Sequence, residues 1–263
     1  MKRLLKKMGT AVLLLSLGTF GVLHASGSNV ETLKLIRTAM VSRVFIQHVA
    51  KDYLYAGNNV AVTKARKDMA IALKKFDAKQ KKLTDSINDP KIENLMAFIE
   101  MNVEEIKDTI KKPYSLDNAA VVIDLAEAIS EGEFKIAKFL RKKYNVKAAL
   151  FKGARYQITE IAKYYIAYQS GLKDDVTVRQ MNNSVEIFKS MLQGYKTNKN
   201  NNAKMNQIVN RMDKLWKIVH QFYLDIKEGG LPLIVYQTSD KIDQQIHAYI
   251  QEALKTKAAR KGK

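Results

Sequence analysis

The 263-residue chain has no cysteine, only three prolines and twelve glycines. Without cysteine it can form no disulfide scaffold, iron–sulfur cluster or thiol catalytic site. So few prolines and glycines argue against an all-β fold, which needs many turn residues. The sequence shows no glycine-rich phosphate loop, no Ser-His-Asp set and no pair of histidines at i, i+4 spacing. We therefore expect a protein that is not an enzyme and that holds no cofactor or metal.

Basic residues outnumber acidic ones by 45 to 26, which gives a formal charge of +19. A charge of this size favours anionic partners and says nothing about the fold. The lysine-rich stretches at 74–75, 79–82 and 141–143 are typical of solvated helix faces. An anionic membrane surface or cell-envelope polymer stays open as a partner, whereas the export signal described next argues against nucleic acid.

The first 25 residues have the pattern of a secretory signal peptide. Four basic residues precede the apolar stretch Ala11–Leu23, and Ala25 provides a small residue before Ser26. Cleavage after Ala25 would lower the formal charge by four, from +19 to +15. We expect a periplasmic protein. The alternative is an uncleaved N-terminal helix that anchors the chain in the inner membrane, because Leu23 is not an ideal residue near a cleavage site.

The remaining sequence predicts eight helices, because apolar residues recur at helical spacing between segments that contain glycine, proline or asparagine. Asp89 before Pro90, and Ser115, are typical N-cap residues. The predicted helices span about 30–55, 63–87, 90–111, 116–144, 146–169, 175–197, 203–227 and 232–255. Helices of this length joined by short loops indicate an all-α fold of up-and-down four-helix bundles.

An internal duplication is visible when the sequence is shifted by 112 residues. The segment Arg43–Leu54 then lies over Arg155–Ile166, with identical Arg, Ile, Ala, Lys and Tyr positions. The third helices match at an offset of 113, where Ile99 lies over Met212. The register of the fourth helices stays open.

This duplication predicts two tandem four-helix bundles, residues 28–144 and 145–255, followed by a basic tail at 256–263. The sequence leaves open whether the fourth helix ends at Tyr144-Asn145 or continues into the second half.

An arginine interrupts the apolar stripe of the first helix in each half. The stripes are Ile36, Ala39, Arg43, Ile46, Ala50 and Tyr53 in the first half, and Ala148, Phe151, Arg155, Ile158, Ala162 and Tyr165 in the second. A guanidinium keeps its proton and is costly to bury without an anionic partner. Two partners are open: a carboxylate of the fourth helix, such as Asp124, Glu127 or Glu131, or a small planar oxyanion held in bidentate fashion.

The same segments resemble the signature of the periplasmic sensor domain of nitrate/nitrite sensor kinases and type IV pilus chemotaxis transducers, the NarX/PilJ type. The matching positions are Ala39, Arg43, Gln47, Ala50-Lys51 and Tyr53-Leu54, then Arg155, Ala162-Lys163 and Tyr165-Ile166. The resemblance implies a four-helix bundle in which Arg43, Arg155 and Gln47 bind a small anion, with Lys51 and Lys163 in support. His48 and Glu160 stand where the signature has a second arginine, so the site differs from that of the family.

Two interpretations of function follow. The first is an exported, non-enzymatic sensor-type module that binds a nitrate- or nitrite-like oxyanion between the first helices of its two halves. It would act through a membrane receptor or another envelope protein, since the chain has no kinase or signalling domain. The alternative is a structural or interaction bundle that has lost its ligand. An ion pair between each arginine and a carboxylate of the chain would favour this alternative.

Overall fold

The computed structural model describes residues 27–147, 150, 153–228 and 230–261, so the predicted signal peptide Met1–Ala25 lies outside the described residues. Within them the chain forms eight α-helices and no strand, which confirms the all-α prediction. The helices are α1 Gly27–Gly57, α2 Val62–Ser86, α3 Pro90–Thr109, α4 Leu116–Lys143, α5 Ala154–Ser170, α6 Asp175–Thr197, α7 Ala203–Leu224 and α8 Pro232–Lys261, with a 3₁₀ turn at Ile226–Glu228. None of these helices is long and apolar enough to span a bilayer.

Side-chain caps begin four of the helices. The predicted caps Asp89 and Ser115 are confirmed, because each accepts a hydrogen bond from a backbone N–H two or three residues further on. Asp174 and Asn202 cap α6 and α7 in the same way. Each cap satisfies one of the backbone donors that the first turn of a helix leaves without a partner.

The fourth helix ends at Tyr144-Asn145 and does not continue. The N–H of Val146 donates to the carbonyl of Arg141 at 3.0 Å, and the N–H of Asn145 donates to that of Lys142 at 3.3 Å. With Asn145 in the left-handed region at φ 47°, this is a Schellman motif, which terminates a helix.

The predicted start of the fifth helix is wrong. Val146 and Lys147 are not helical, and α5 begins only at Ala154, after Gly153. The left-handed residue Asn145 turns the chain away from the axis of α4, so Val146 and Lys147 do not continue that helix. At the other end of the chain, α8 runs to Lys261 and so includes most of the predicted basic tail, which is rich in the helix formers Ala, Lys and Arg.

Backbone contacts divide the described chain into two compact units. The first contains α1 to α4 together with Ser170–Leu172, and the second contains the rest of α5 with α6 to α8. Within the first unit α1 packs against α2 and α4, and α3 packs against α4. Within the second unit α7 packs against α6 and α8. Two superposable four-helix bundles stay a prediction.

The arginine-bearing stripes lie in the cores of their units. The apolar members of the first stripe, Ile36, Ala39, Ile46, Ala50 and Tyr53, are buried, as are Ile158, Ala162 and Tyr165 of the second. Ala148 and Phe151 lie outside the described residues. In the third helices the matched residues Ile99 and Met212 are also fully buried. Burial of these stripes provides the main stabilisation of an amphipathic helix.

Candidate functional site

Arg43 is buried between α1 and α4, with 4% of its surface exposed. Its Nε donates a hydrogen bond to the hydroxyl of Ser130 at 3.1 Å. The guanidinium carbon lies 5.0 Å from the centre of the Phe134 ring, a cation–π distance. Nη1 lies 3.9 Å from the sulfur of Met40. The predicted arginine is thus held by α4 through a hydroxyl group and an aromatic ring.

Gln47 lies one turn further along α1 and is fully buried. Its amide nitrogen donates to a carboxylate oxygen of Glu127 at 3.1 Å. Asp124 and Glu131, the other two carboxylates that the sequence suggested as partners of Arg43, are exposed on α4. The structure therefore brings Arg43 and Gln47 together on the same face of α1, where both contact α4.

A second acid of α4, Glu133, is completely buried beside this arginine. The amide of Gln80 in α2 donates to one of its carboxyl oxygens. Ser42, also fully buried, donates its own hydroxyl to the carbonyl of Thr38 at 3.1 Å. Burial raises the pKa of Glu133 to about 8, and the neighbouring Gln80, Ser42 and Arg43 offset this only in part. Glu133 is therefore mostly protonated and uncharged at neutral pH.

Arg155, the counterpart of Arg43 in the second unit, forms a bidentate ion pair with Asp243 of α8. Nε and Nη2 donate to the two carboxylate oxygens at 2.7 and 2.8 Å. Burial lowers the pKa of Arg155, but the hydrogen bonds and charge of Asp243 outweigh it and hold the pKa above its usual value. A carboxylate thus occupies both arms of this guanidinium fork.

These contacts fix the register of the fourth helices. Since Nε of Arg43 meets Ser130 and Nε of Arg155 meets Asp243, α4 and α8 correspond at an offset of 113, as the third helices do. The same offset pairs buried residues along both helices: Val122 with Val235, Ile129 with Ile242, and Ile136 with Tyr249.

With this register, the polar cluster of the first unit lies at positions that are apolar in the second. We call Ser42, Gln80, Ser130 and Glu133, together with Arg43, the α1/α4 polar cluster. The buried residues Ala154, Leu192 and Ile246 of the second unit correspond to Ser42, Gln80 and Glu133. The two arginines therefore differ at these positions, which are polar around Arg43 and apolar around Arg155, and Arg155 pairs with Asp243.

The two lysines predicted in support are both buried. Nζ of Lys51 lies 3.1 Å from a carboxylate oxygen of Asp52, its neighbour in the sequence. Nζ of Lys163 lies 4.1 Å from the centre of the Tyr164 ring. Glu160, which stands at the second signature arginine, accepts a hydrogen bond from Ser184 at 2.5 Å. Each lysine thus contacts the residue that follows it in the sequence.

Sequence reasoning missed Ser130, Glu133 and Asp243. One signal for Glu133 was available, because it interrupts the apolar stripe of α4 formed by Val122, Ala126, Ile129, Ile136 and Leu140. The partners of the arginines needed the register of the fourth helices, which the sequence left open.

No family model, curated protein or solved structure matched this chain. Within the described residues, no group of three or more His, Asp or Glu side chains is placed to hold a metal ion.

Proposed function

We propose that this chain is an exported, non-enzymatic helical module whose first unit binds a small oxyanion at the α1/α4 polar cluster. The second unit, which contains the Arg155–Asp243 ion pair, has a structural role. The module acts through a partner protein of the cell envelope. The resemblance of the segment around Arg43 to nitrate/nitrite sensor domains points to the same class of ligand.

The observation that carries this proposal is the difference between the two arginines. Burying polar groups costs free energy relative to packing apolar side chains of similar size. The second unit fills the corresponding positions with Ala154, Leu192 and Ile246. Since apolar side chains fill the corresponding positions of the second unit, we infer that the polar residues of the first unit serve a purpose other than packing. Ligand binding gives them a use.

The chemistry of the cluster suits a small planar anion. Arg43 provides N–H donors in a fork that fits two oxygens, and the amides of Gln47 and Gln80 and the hydroxyl of Ser130 are further donors. Glu133, with a pKa of about 8, carries little negative charge at neutral pH and so repels an anion weakly. In the second unit Asp243, by contrast, holds both arms of the Arg155 fork.

One observation favours the structural alternative for the second unit. Both arms of the Arg155 fork are taken by Asp243, so an oxyanion there would have to displace a bidentate ion pair. We therefore assign Arg155 a structural role and Arg43 the binding role.

Titration calorimetry tests this assignment, with nitrate and nitrite added to the protein and to three arginine variants. Arg43→Ala should abolish the heat of binding, and Arg43→Lys should weaken binding, because an ammonium keeps the charge but lacks the planar fork. Loss of one charge-assisted contact is worth roughly 1.5–3 kcal/mol, or about ten- to more than a hundred-fold in affinity. Arg155→Ala is the matched control and should bind as the unchanged protein does, at a temperature where it remains folded.

Absence of any anion heat in the unchanged protein would contradict the proposal and leave the structural alternative. Equal loss of binding in Arg43→Ala and Arg155→Ala would contradict the division of roles between the units.

A further inference from the structure

A surface groove of about 560 Å³ lies between α6 and α7 in the second unit. Three lysines line it, and two acids line it with them. Asp213 pairs with both Lys196 and Lys217 at 3.1 Å, and Glu186 lies 3.8 Å from Lys189. The lysines of this groove are therefore largely neutralised by its own carboxylates.

A second groove, of about 370 Å³, lies at the C-terminal end of α4 and has a different charge balance. We call it the α4-end groove; its lining residues are Lys138, Arg141, Lys142, Asn145, Val146 and Lys147. Four cationic side chains thus meet there, and none of the described residues that line the groove is acidic. Within the described residues, no ion pair joins Lys138, Lys142 or Lys147 to a carboxylate.

Stabilisation of the helix end accounts for only part of this cluster. Basic residues often occur in the last turn of a helix, where they interact with its free carbonyl groups. Here the Schellman motif already satisfies the carbonyls of Arg141 and Lys142 through backbone N–H groups. Lys138 lies a turn before the helix end and Lys147 lies beyond it, so neither belongs to the last turn.

We propose that the α4-end groove binds a phosphate ligand with several negative charges, either the linked phosphates of pyrophosphate or a phosphomonoester lipid headgroup. The guanidinium of Arg141 and the three ammonium groups supply four positive charges to this groove. The side-chain amide of Asn145 provides a further donor at the rim. Several positive charges converging on a concave surface without a carboxylate match a ligand with several negative charges. This site is separate from the α1/α4 polar cluster and does not depend on the function proposed for it.

Two experiments distinguish the sources of the phosphate. Calorimetry with inorganic pyrophosphate tests a soluble ligand, with sulfate as an anion of lower charge. Co-sedimentation with vesicles of phosphatidylcholine, with and without phosphatidic acid, tests a lipid headgroup. Both use the full chain, and both are repeated at higher salt, which should weaken contacts between exposed charges.

Matched variants separate a site from general charge attraction. Lys138→Gln, Lys142→Gln and Lys147→Gln together remove three charges from the α4-end groove. Lys67→Gln, Lys74→Gln and Lys79→Gln together remove three charges from α2, so both variants have the same net charge. We expect the groove variant to lose affinity for pyrophosphate or for the acidic vesicles by about ten-fold or more. The α2 variant should bind as the unchanged protein does.

Pyrophosphate binding that depends on the groove lysines would support the site with a soluble ligand. Groove-dependent binding to the acidic vesicles alone would support it with a lipid source. The proposal is overturned when neither probe binds, when both triple variants lose affinity equally, or when sulfate binds as tightly as pyrophosphate. Urea melts of the two triple variants serve as the control that each variant is folded.

Discussion

Replacing Arg155 with alanine should lower the free energy of unfolding by about 2 to 4 kcal/mol at neutral pH. The change leaves Asp243, which is 8% exposed, as a mostly buried carboxylate without its bidentate partner. When a fully buried ion pair loses one member, the loss of unfolding free energy can exceed the upper end of this range. When an exposed pair loses one member, the loss lies below the lower end. The side chain of Arg155 is 22% exposed, which places this pair between those cases. Urea melts followed by circular dichroism measure the difference.

An exposed ion pair of similar length provides the matched control. Lys81 and Asp85 lie 3.0 Å apart on α2, and both side chains are largely exposed. Lys81→Ala should change the free energy of unfolding by less than about 1 kcal/mol. The double variant Arg155→Met with Asp243→Leu should recover most of the loss, because it removes both charges at once. A loss in Arg155→Ala no larger than that in Lys81→Ala would show that the pair is not structural.

The stability of the protein should fall by about 3 kcal/mol between about pH 5.5 and 8.5 through Glu133 alone. The pKa of this carboxyl is raised from 4.5 to about 8 by burial. Between these two values the folded protein keeps a proton that the unfolded chain has already released. The folded state therefore binds more protons, and the free energy of unfolding decreases as the pH rises through this window. The contribution is complete below about pH 4.5 and is lost once the pH passes 8.

Glu133→Gln isolates this effect. Glutamine keeps a carbonyl oxygen to accept the hydrogen bond of Gln80, and it does not titrate. Other groups titrate in the same window, among them His220, whose pKa is lowered chiefly by burial and which acts in the opposite direction. The difference between the two proteins cancels such contributions. Urea melts across this pH window should show that the free energy of unfolding declines more steeply in the unchanged protein than in Glu133→Gln. If the two proteins gave parallel curves of unfolding free energy against pH, Glu133 would be charged throughout.

The sequence predicted the fold class and the positions of the two arginines, because both depend on local patterns. Apolar residues at helical spacing identify the helices, and a permanent charge within such a stripe is visible without a structure. N-cap residues such as Asp89 and Ser115 marked helix starts for the same reason. The start of α5 was predicted too early, because apolar residues at helical spacing precede Ala154 in the sequence although Val146 and Lys147 are not helical.

The surroundings of the arginines could not be predicted, because they depend on which turns of two helices face each other. Fourth helices that share an apolar repeat can be aligned almost equally well at several offsets that differ by three, four or seven residues. A carboxylate at Asp243 and a hydroxyl at Ser130 therefore could not be matched to Arg155 and Arg43. The difference between the two arginine sites, from which the binding role is inferred, is visible only once the register is known.

The most direct test of the binding role transfers the core of the second unit into the first. The variant carries Ser42→Ala, Gln80→Leu, Ser130→Asp and Glu133→Ile, so that Arg43 gains the surroundings of Arg155. In urea melts this variant should be at least as stable as the unchanged protein, because an apolar core replaces a buried polar cluster. Calorimetry with nitrate and nitrite should then give heat of binding with the unchanged protein and none with this variant. Equal binding by the two proteins, or no binding by either, would contradict the account.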